Sequence, residues 1–227
     1  MSRQRLAGIT LIASSAVVFL GQFIALLLWD SWFYSLQFNL VSDLGHTVCA
    51  PVADGFGPRF VCSPGHLWFN LGLLVGGVLL LTGGLALRRL AGYALSVAGV
   101  ALTVVGMLPP DRQPGPHDAA AVVYVVAVWA AVSAAAVTLR HTRPTLAAAS
   151  AVVLLVSVGG AALLLFNPEG APGLYGRIAV DVLAVWVVFL GAGQLRPDRT
   201  KPRRARRADP DRAERDAAVR RAAERLG

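Results

Sequence analysis

Between residues 7 and 195 the chain alternates long apolar runs with short polar interruptions. About 20 apolar residues in a helix cross a bilayer core. Runs of that order recur at 7–28, 66–87, 90–108, 119–139, 145–166 and 178–195. The pattern predicts an all-α integral membrane bundle of six transmembrane helices over residues 1–195, followed by a basic tail at 196–227. The first run follows Arg3 and Arg5 like a secretory signal, but its apolar core is long and no small-x-small cleavage site follows, so it reads as a retained helix.

Composition agrees with lipid as the solvent. The chain is 56% hydrophobic and 15% charged, with mean hydropathy +0.60 and a net charge of +8. The basic residues are distributed unevenly. The N-terminus, the Arg88-Arg89 turn, the Arg140 to Arg143 turn and the tail hold nearly all of them, whereas the alternate connections hold Arg59, Arg112 and Arg177. The positive-inside rule then places both termini in the cytoplasm and the 39–66 segment outside. Trp29, Trp32, Phe33 and Tyr34 follow the first run, where amphipathic rings favour the headgroup level.

Small and polar residues inside the runs point to helix contacts. Gly72, Gly76, Gly77, Gly83 and Gly84 notch the second run, as close helix packing in lipid requires. Gln22, Asn70 and Tyr124 are polar groups within spans and are expected to face neighbouring helices. An echo between "PDRQPG" (110–115) and "PEGAPG" (168–173) suggests a duplicated hairpin, but short Pro/Gly turns converge on the same pattern.

The polar chemistry collects in the segment 39–66 and at the ends of later spans. Cys49 and Cys62, the two cysteines of the chain, share one loop; if that loop is outside, a disulfide between them is expected. On this topology Ser42, Asp43, His46, His66, Asp111, His117, Asp118, Glu169, Arg177 and Asp181 all lie toward the outer face. Imidazoles and carboxylates supply both proton transfer and coordination, so Asp43, His66 and His117 are the set from which a divalent metal site would be assembled. No His-Glu-x-x-His or comparable spacing supports that set, and the cofactor is left open.

Plainer readings stand beside these. Ser42 and Asp43 before Gly45 suit a capped turn, and His66 with Asn70 one turn later suits hydrogen bonding inside the bundle. Asp118 complements a helix N-terminus, and Arg177 with Asp181 fits a local ion pair that screens Asp181 from lipid. Ser42 has no G-x-S-x-G elbow around it, and no charged residue falls near the middle of a predicted span, as a transporter site would require.

The ordered motifs "SDLG" (42–45), Cys49, "VCSPGH" (61–66), Asn70, "GMLPPD" (106–111), His117 before small residues and a Gly-rich loop before Arg177 resemble a bacterial six-helix membrane family. That family is catalogued as domain of unknown function 998. The resemblance runs from the first span to about Leu195 and implies a six-helix bundle of the bacterial plasma membrane, with polar motif residues at its outer face. It implies no activity, since the family has none settled. Its members commonly carry Glu-Arg at the start of the last helix, where this chain has Gly176-Arg177.

The leading expectation is a multi-pass protein with an extracytoplasmic polar pocket for a lipid headgroup or small ligand, formed by Ser42, Asp43, His66, Asn70, Asp111, His117 and Arg177. Two alternatives remain: a metal-dependent hydrolase or transferase acting on lipid-linked substrates, and a structural subunit working through its notched helices and tail. Expected partners are membrane lipids, with anionic headgroups at the Arg-rich tail; no aromatic residue is interleaved there, so nucleic acid is not expected.

Overall fold

The computed structural model describes residues 1–29 and 34–195, together with positions 214, 218, 221, 223 and 224. Trp32, Phe33 and the basic cluster of the tail lie outside the described residues. Six helices make up the body: α1 (Arg3–Leu28), α2 (His66–Leu87), α3 (Leu90–Met107), α4 (Pro114–Leu139), α5 (Pro144–Phe166) and α6 (Pro172–Leu195). All six are long and apolar enough to cross a membrane, and the chain is a multi-pass membrane protein.

Two helices begin earlier than hydropathy predicts. Span four was expected from 119 and span six from 178, but α4 starts at Pro114 and α6 at Pro172. Proline suits the first helical turn, where its missing N–H has no intrahelical partner to lose and its fixed φ is already helical. The turns that follow contain Gly, His, Asp or Arg, which lower the apolar count without breaking a helix. The extension matters at α6, because it moves Asp181 from near a helix start to nearly the middle of the helix.

Each helix packs against its neighbours in sequence, and α6 closes the ring by packing on α1. Without a hydrophobic drive between helices in lipid, the seams depend on close approach and on hydrogen bonds. Glycines supply the approach on two faces of α2. A Cβ at Gly72 would stand 3.1 Å from the Val17 carbonyl oxygen of α1, and one at Gly77 would stand 2.7 Å from the Gly99 carbonyl oxygen of α3.

Hydroxyls supply the second kind of contact. Ser14 Oγ donates to the Gly76 carbonyl (2.7 Å), and Ser15 Oγ to that of Ala184 (2.8 Å). Trp129 Nε1 of α4 donates to Ser157 Oγ of α5, which donates in turn to the Ala179 carbonyl of α6.

At one end of the bundle the α1–α2 connection folds into a cap. In sequence it has the makeup of a loop, but it contains a 3-10 turn (Val41–Gly45) and a hairpin of β1 (Ala50–Asp54) and β2 (Gly57–Val61). The strands pair antiparallel from Ala50 with Val61 to Asp54 with Gly57. Gly55 and Phe56 form the two-residue turn, Gly57 takes the left-handed φ of 93° that follows it, and Asp54 Oδ1 accepts from the Phe56 amide at 2.9 Å to hold the turn. The Cys49–Cys62 disulfide closes the open end of the ladder, as the sequence predicts.

Candidate functional site

The cap has its own charged centre. Asp43 is fully buried. Arg59 of β2 donates to it from Nε at 2.7 Å and from Nη2 at 2.9 Å, while the Leu40 amide and Asn39 Nδ2 also reach Oδ2. Arg59 reaches Asp54 as well, through Nη1 at 2.8 Å. Burial alone would disfavour the guanidinium charge, but its bonds to the two carboxylates outweigh that and raise its pKa further. Burial likewise opposes ionisation of Asp54, and the Arg59 hydrogen bond overcomes it to hold the carboxyl below its usual range.

Beside this centre lie His46, Asp111 and Asn70. Burial lowers the His46 pKa, partly offset by the charges of Asp43 and Asp111. Burial acts against the Asp111 charge too, yet the Thr47 hydroxyl, donating at 2.6 Å, holds its pKa below the usual range. Asn70 Nδ2 donates to the Gly45 carbonyl at 3.0 Å and so fastens the 3-10 turn to α2. Asn70 Oδ1 and Asp111 Oδ1 are buried with no partner among the described residues.

Under the cap, a cavity of about 450 Å³ runs down between α4 and α6, with α1, α2, α3 and α5 completing its wall. Most of the wall is Val, Leu, Ala and Phe. Val122, Val126 and Leu165, which line it, are also exposed on the outside of the bundle, so the cavity opens sideways. Its polar groups fall at two levels. Ser42 and His117 stand at the cap end, and Gln22, Tyr124 and Asp181 stand deeper, on α1, α4 and α6.

His117 is held in one orientation. Its Nδ1 lies 2.7 Å from the Leu108 carbonyl oxygen, which can only accept, so Nδ1 carries a proton and Nε2 is the ring nitrogen left for a ligand. Nε2 makes no hydrogen bond among the described residues. His66, the first residue of α2, directs Nδ1 to the Ser63 carbonyl at 2.9 Å and does not line the cavity.

A family profile described as "Protein of unknown function (DUF998)" matches residues 12–193, which takes in all six helices and the cap. The chain belongs to the DUF998 family. No curated protein and no solved structure matches the chain.

Of the motif residues that mark this DUF998 protein in its sequence, the structure brings Ser42 and His117 to the cavity and leaves Asp43, His66, Asn70, Asp111 and Arg177 outside its wall. Asp43, His66 and His117 do not assemble as a metal set, and among the described residues no three His, Cys, Asp or Glu side chains are placed to hold an ion. Asp43 is committed to Arg59, and His66 to the turn that starts α2. Arg177 donates from Nη2 to the Tyr34 hydroxyl, stacks 5.6 Å over that ring, and approaches Asp181 at 4.0 Å, so the local ion pair is formed at the edge of contact distance.

Sequence reasoning missed Arg59, whose buried partner Asp43 lies 16 residues away, and it did not connect Gln22 and Tyr124 with Asp181. Their signal was the rarity of polar groups inside apolar runs.

Proposed function

We propose that the protein binds one lipidic molecule in the cavity between α4 and α6, with the hydrophobic body against the apolar wall and a polar end beneath the cap at Ser42 and His117. The observation that carries this reading is the sideways-opening apolar cavity with unpartnered polar groups at its cap end. Small-molecule sites have this makeup, mostly apolar walls with a few placed polar groups in about 300–1,000 Å³. A lateral opening admits a ligand from the bilayer without passage through water.

The cap end faces the extracytoplasmic side in this reading, because the turns at the opposite end carry Arg88, Arg89, Arg140 and Arg143. The hairpin, its disulfide and the Asp43–Arg59 pair then form a rigid lid support that keeps Ser42 in place.

The test is lipid analysis of protein purified in mild detergent, comparing wild type with Ala121→Phe and Ala161→Phe, two small wall residues on α4 and α5. Added rings fill the cavity, so a retained lipid present at near one per chain in wild type should fall at least about fivefold, the scale of one lost apolar contact set. Equal retention in all three proteins would refute the reading.

A further inference from the structure

The deeper polar level of the cavity holds more hydrogen-bonding capacity than its one bond between α1 and α6 uses. Gln22 is buried on α1 and donates from Nε2 to Asp181 Oδ1 at 3.3 Å. Its Oε1 makes no hydrogen bond among the described residues, nor does the Tyr124 hydroxyl on α4, which lies within electrostatic reach of Asp181. Asp181 Oδ2 has Arg177 Nη1 at 4.0 Å, beyond hydrogen-bond distance. All three side chains line the cavity.

Asp181 stands about 14 Å along the α6 axis from Pro172 at 1.5 Å rise per residue. No acidic side chain of the six helices sits farther from a helix end. Polar groups at such depth are expensive in lipid and persist where they meet one another or a ligand. Here they meet one another through a single 3.3 Å bond and leave an acceptor on Gln22, an acceptor on Asp181 and a donor on Tyr124 open to the same space.

We infer that Gln22, Tyr124 and Asp181 form a subsite for a neutral hydroxyl carried on the hydrophobic body of the ligand. This rests on the lipid-binding reading of the cavity and deepens it. A hydroxyl both donates and accepts, and so answers Asp181 and Tyr124 together. An ammonium would satisfy the acceptors equally well, but Arg177 already balances Asp181, and a second cation would enter a low-dielectric site with net positive charge. An anion brings no donor for the open acceptors on Gln22 and Asp181. A neutral alcohol is the class that the charge balance admits.

The test uses four photoactivatable probes in phosphatidylcholine nanodiscs containing the full chain: a diazirine-bearing hexadecanol, its methyl ether, the matched alkane and the matched hexadecylamine. Crosslinks are mapped to the α4 and α6 peptides that line the cavity. The alcohol should label wild type about tenfold more than the ether, the value of one net hydrogen bond. Asp181→Asn should cut that preference to about threefold or less, and Tyr124→Phe should lower labelling by the alcohol and the ether alike by about threefold, while alkane labelling stays unchanged in both.

Tyr124→Phe removes an oxygen without a protein partner, so its fold is expected to be intact and alkane labelling serves as the control. Equal labelling by alcohol and ether in wild type overturns the hydroxyl subsite and leaves the cavity reading standing. A hexadecylamine probe that labels more than the alcohol overturns the neutral class. If no probe labels the cavity, the lipid-binding reading falls and this inference falls with it.

Discussion

Arg59 donates to both carboxylate oxygens of Asp43, from Nη2 to Oδ1 at 2.9 Å and from Nε to Oδ2 at 2.7 Å, with Asp43 fully buried. The pair joins β2 to the 3-10 turn that carries Ser42 to the cavity. A carboxylate that reads in sequence as a pocket residue is therefore a structural tie behind the pocket.

Removing Arg59 leaves a buried carboxyl without its guanidinium, a defect of about 3–5 kcal/mol, while removing Asp43 leaves Arg59 with Asp54 alone and costs less. Asp43→Ala and Arg59→Leu are each expected to release the hairpin. Amide hydrogen exchange should show lost protection over residues 40–62, with the six helices little changed. Unaltered exchange in both variants would show that the pair contributes nothing to the cap.

Acid should loosen the same region in two stages. The His46 pKa lies below its ordinary 6.5, so the unfolded chain binds more protons just beneath that pH. Its stability contribution is complete above 6.5 and declines as pH falls toward the folded value. Asp54 and Asp111 are also depressed, from an ordinary 3.8. Their contribution is complete above that value and is lost as pH falls through their folded pKa values. Hairpin protection measured from pH 8 to pH 3 should fall in both windows, and His46→Gln should abolish the upper stage alone.

Cys49 and Cys62 are 13 residues apart in sequence. Closing a loop of this size constrains the unfolded chain by about 3 kcal/mol on the entropy estimate. Non-reducing peptide mapping should show the linked pair, and the Cys49→Ser, Cys62→Ser double variant should lower the denaturation midpoint of the cap. Free thiols in protein recovered from membranes would contradict the pairing.

Gly99 tests the helix seams. A methyl there would stand 2.4 Å from the Leu81 backbone nitrogen and 2.7 Å from the Gly77 carbonyl oxygen. Backbone cannot move aside as a side-chain tip can, so Gly99→Ala is expected to cost at least about 1–3 kcal/mol and to lower the thermal midpoint in detergent. Gly115→Ala, with open space around its position, is the matched control that should leave the midpoint unchanged.

The six helices were legible because each apolar run is long and the charges within the runs are few. The helix starts were less so: Pro114 and Pro172 open α4 and α6 ahead of the apolar residues, and hydropathy does not count a helical turn of Gly, Pro and Arg. Cys49 and Cys62 were legible as a pair because no other cysteine competes. The partners of Asp43 were hidden for the opposite reason, since Arg59 stands 16 residues away across a hairpin that went unread. Gln22 and Asp181 are 159 residues apart, and only the closure of the helix ring brings them together.

That closure also fixes the order in which the protein can be completed. Ser15 and Gln22 of α1 find their partners on Ala184 and Asp181 of α6. During synthesis Ser15 and Gln22 therefore lack these partners while α2 to α5 are made, and α6 supplies them. A chain stopped before α6 would leave Ser15 and Gln22 without the partners that bury them, so the seam that closes the ring is also the one a truncated chain cannot form.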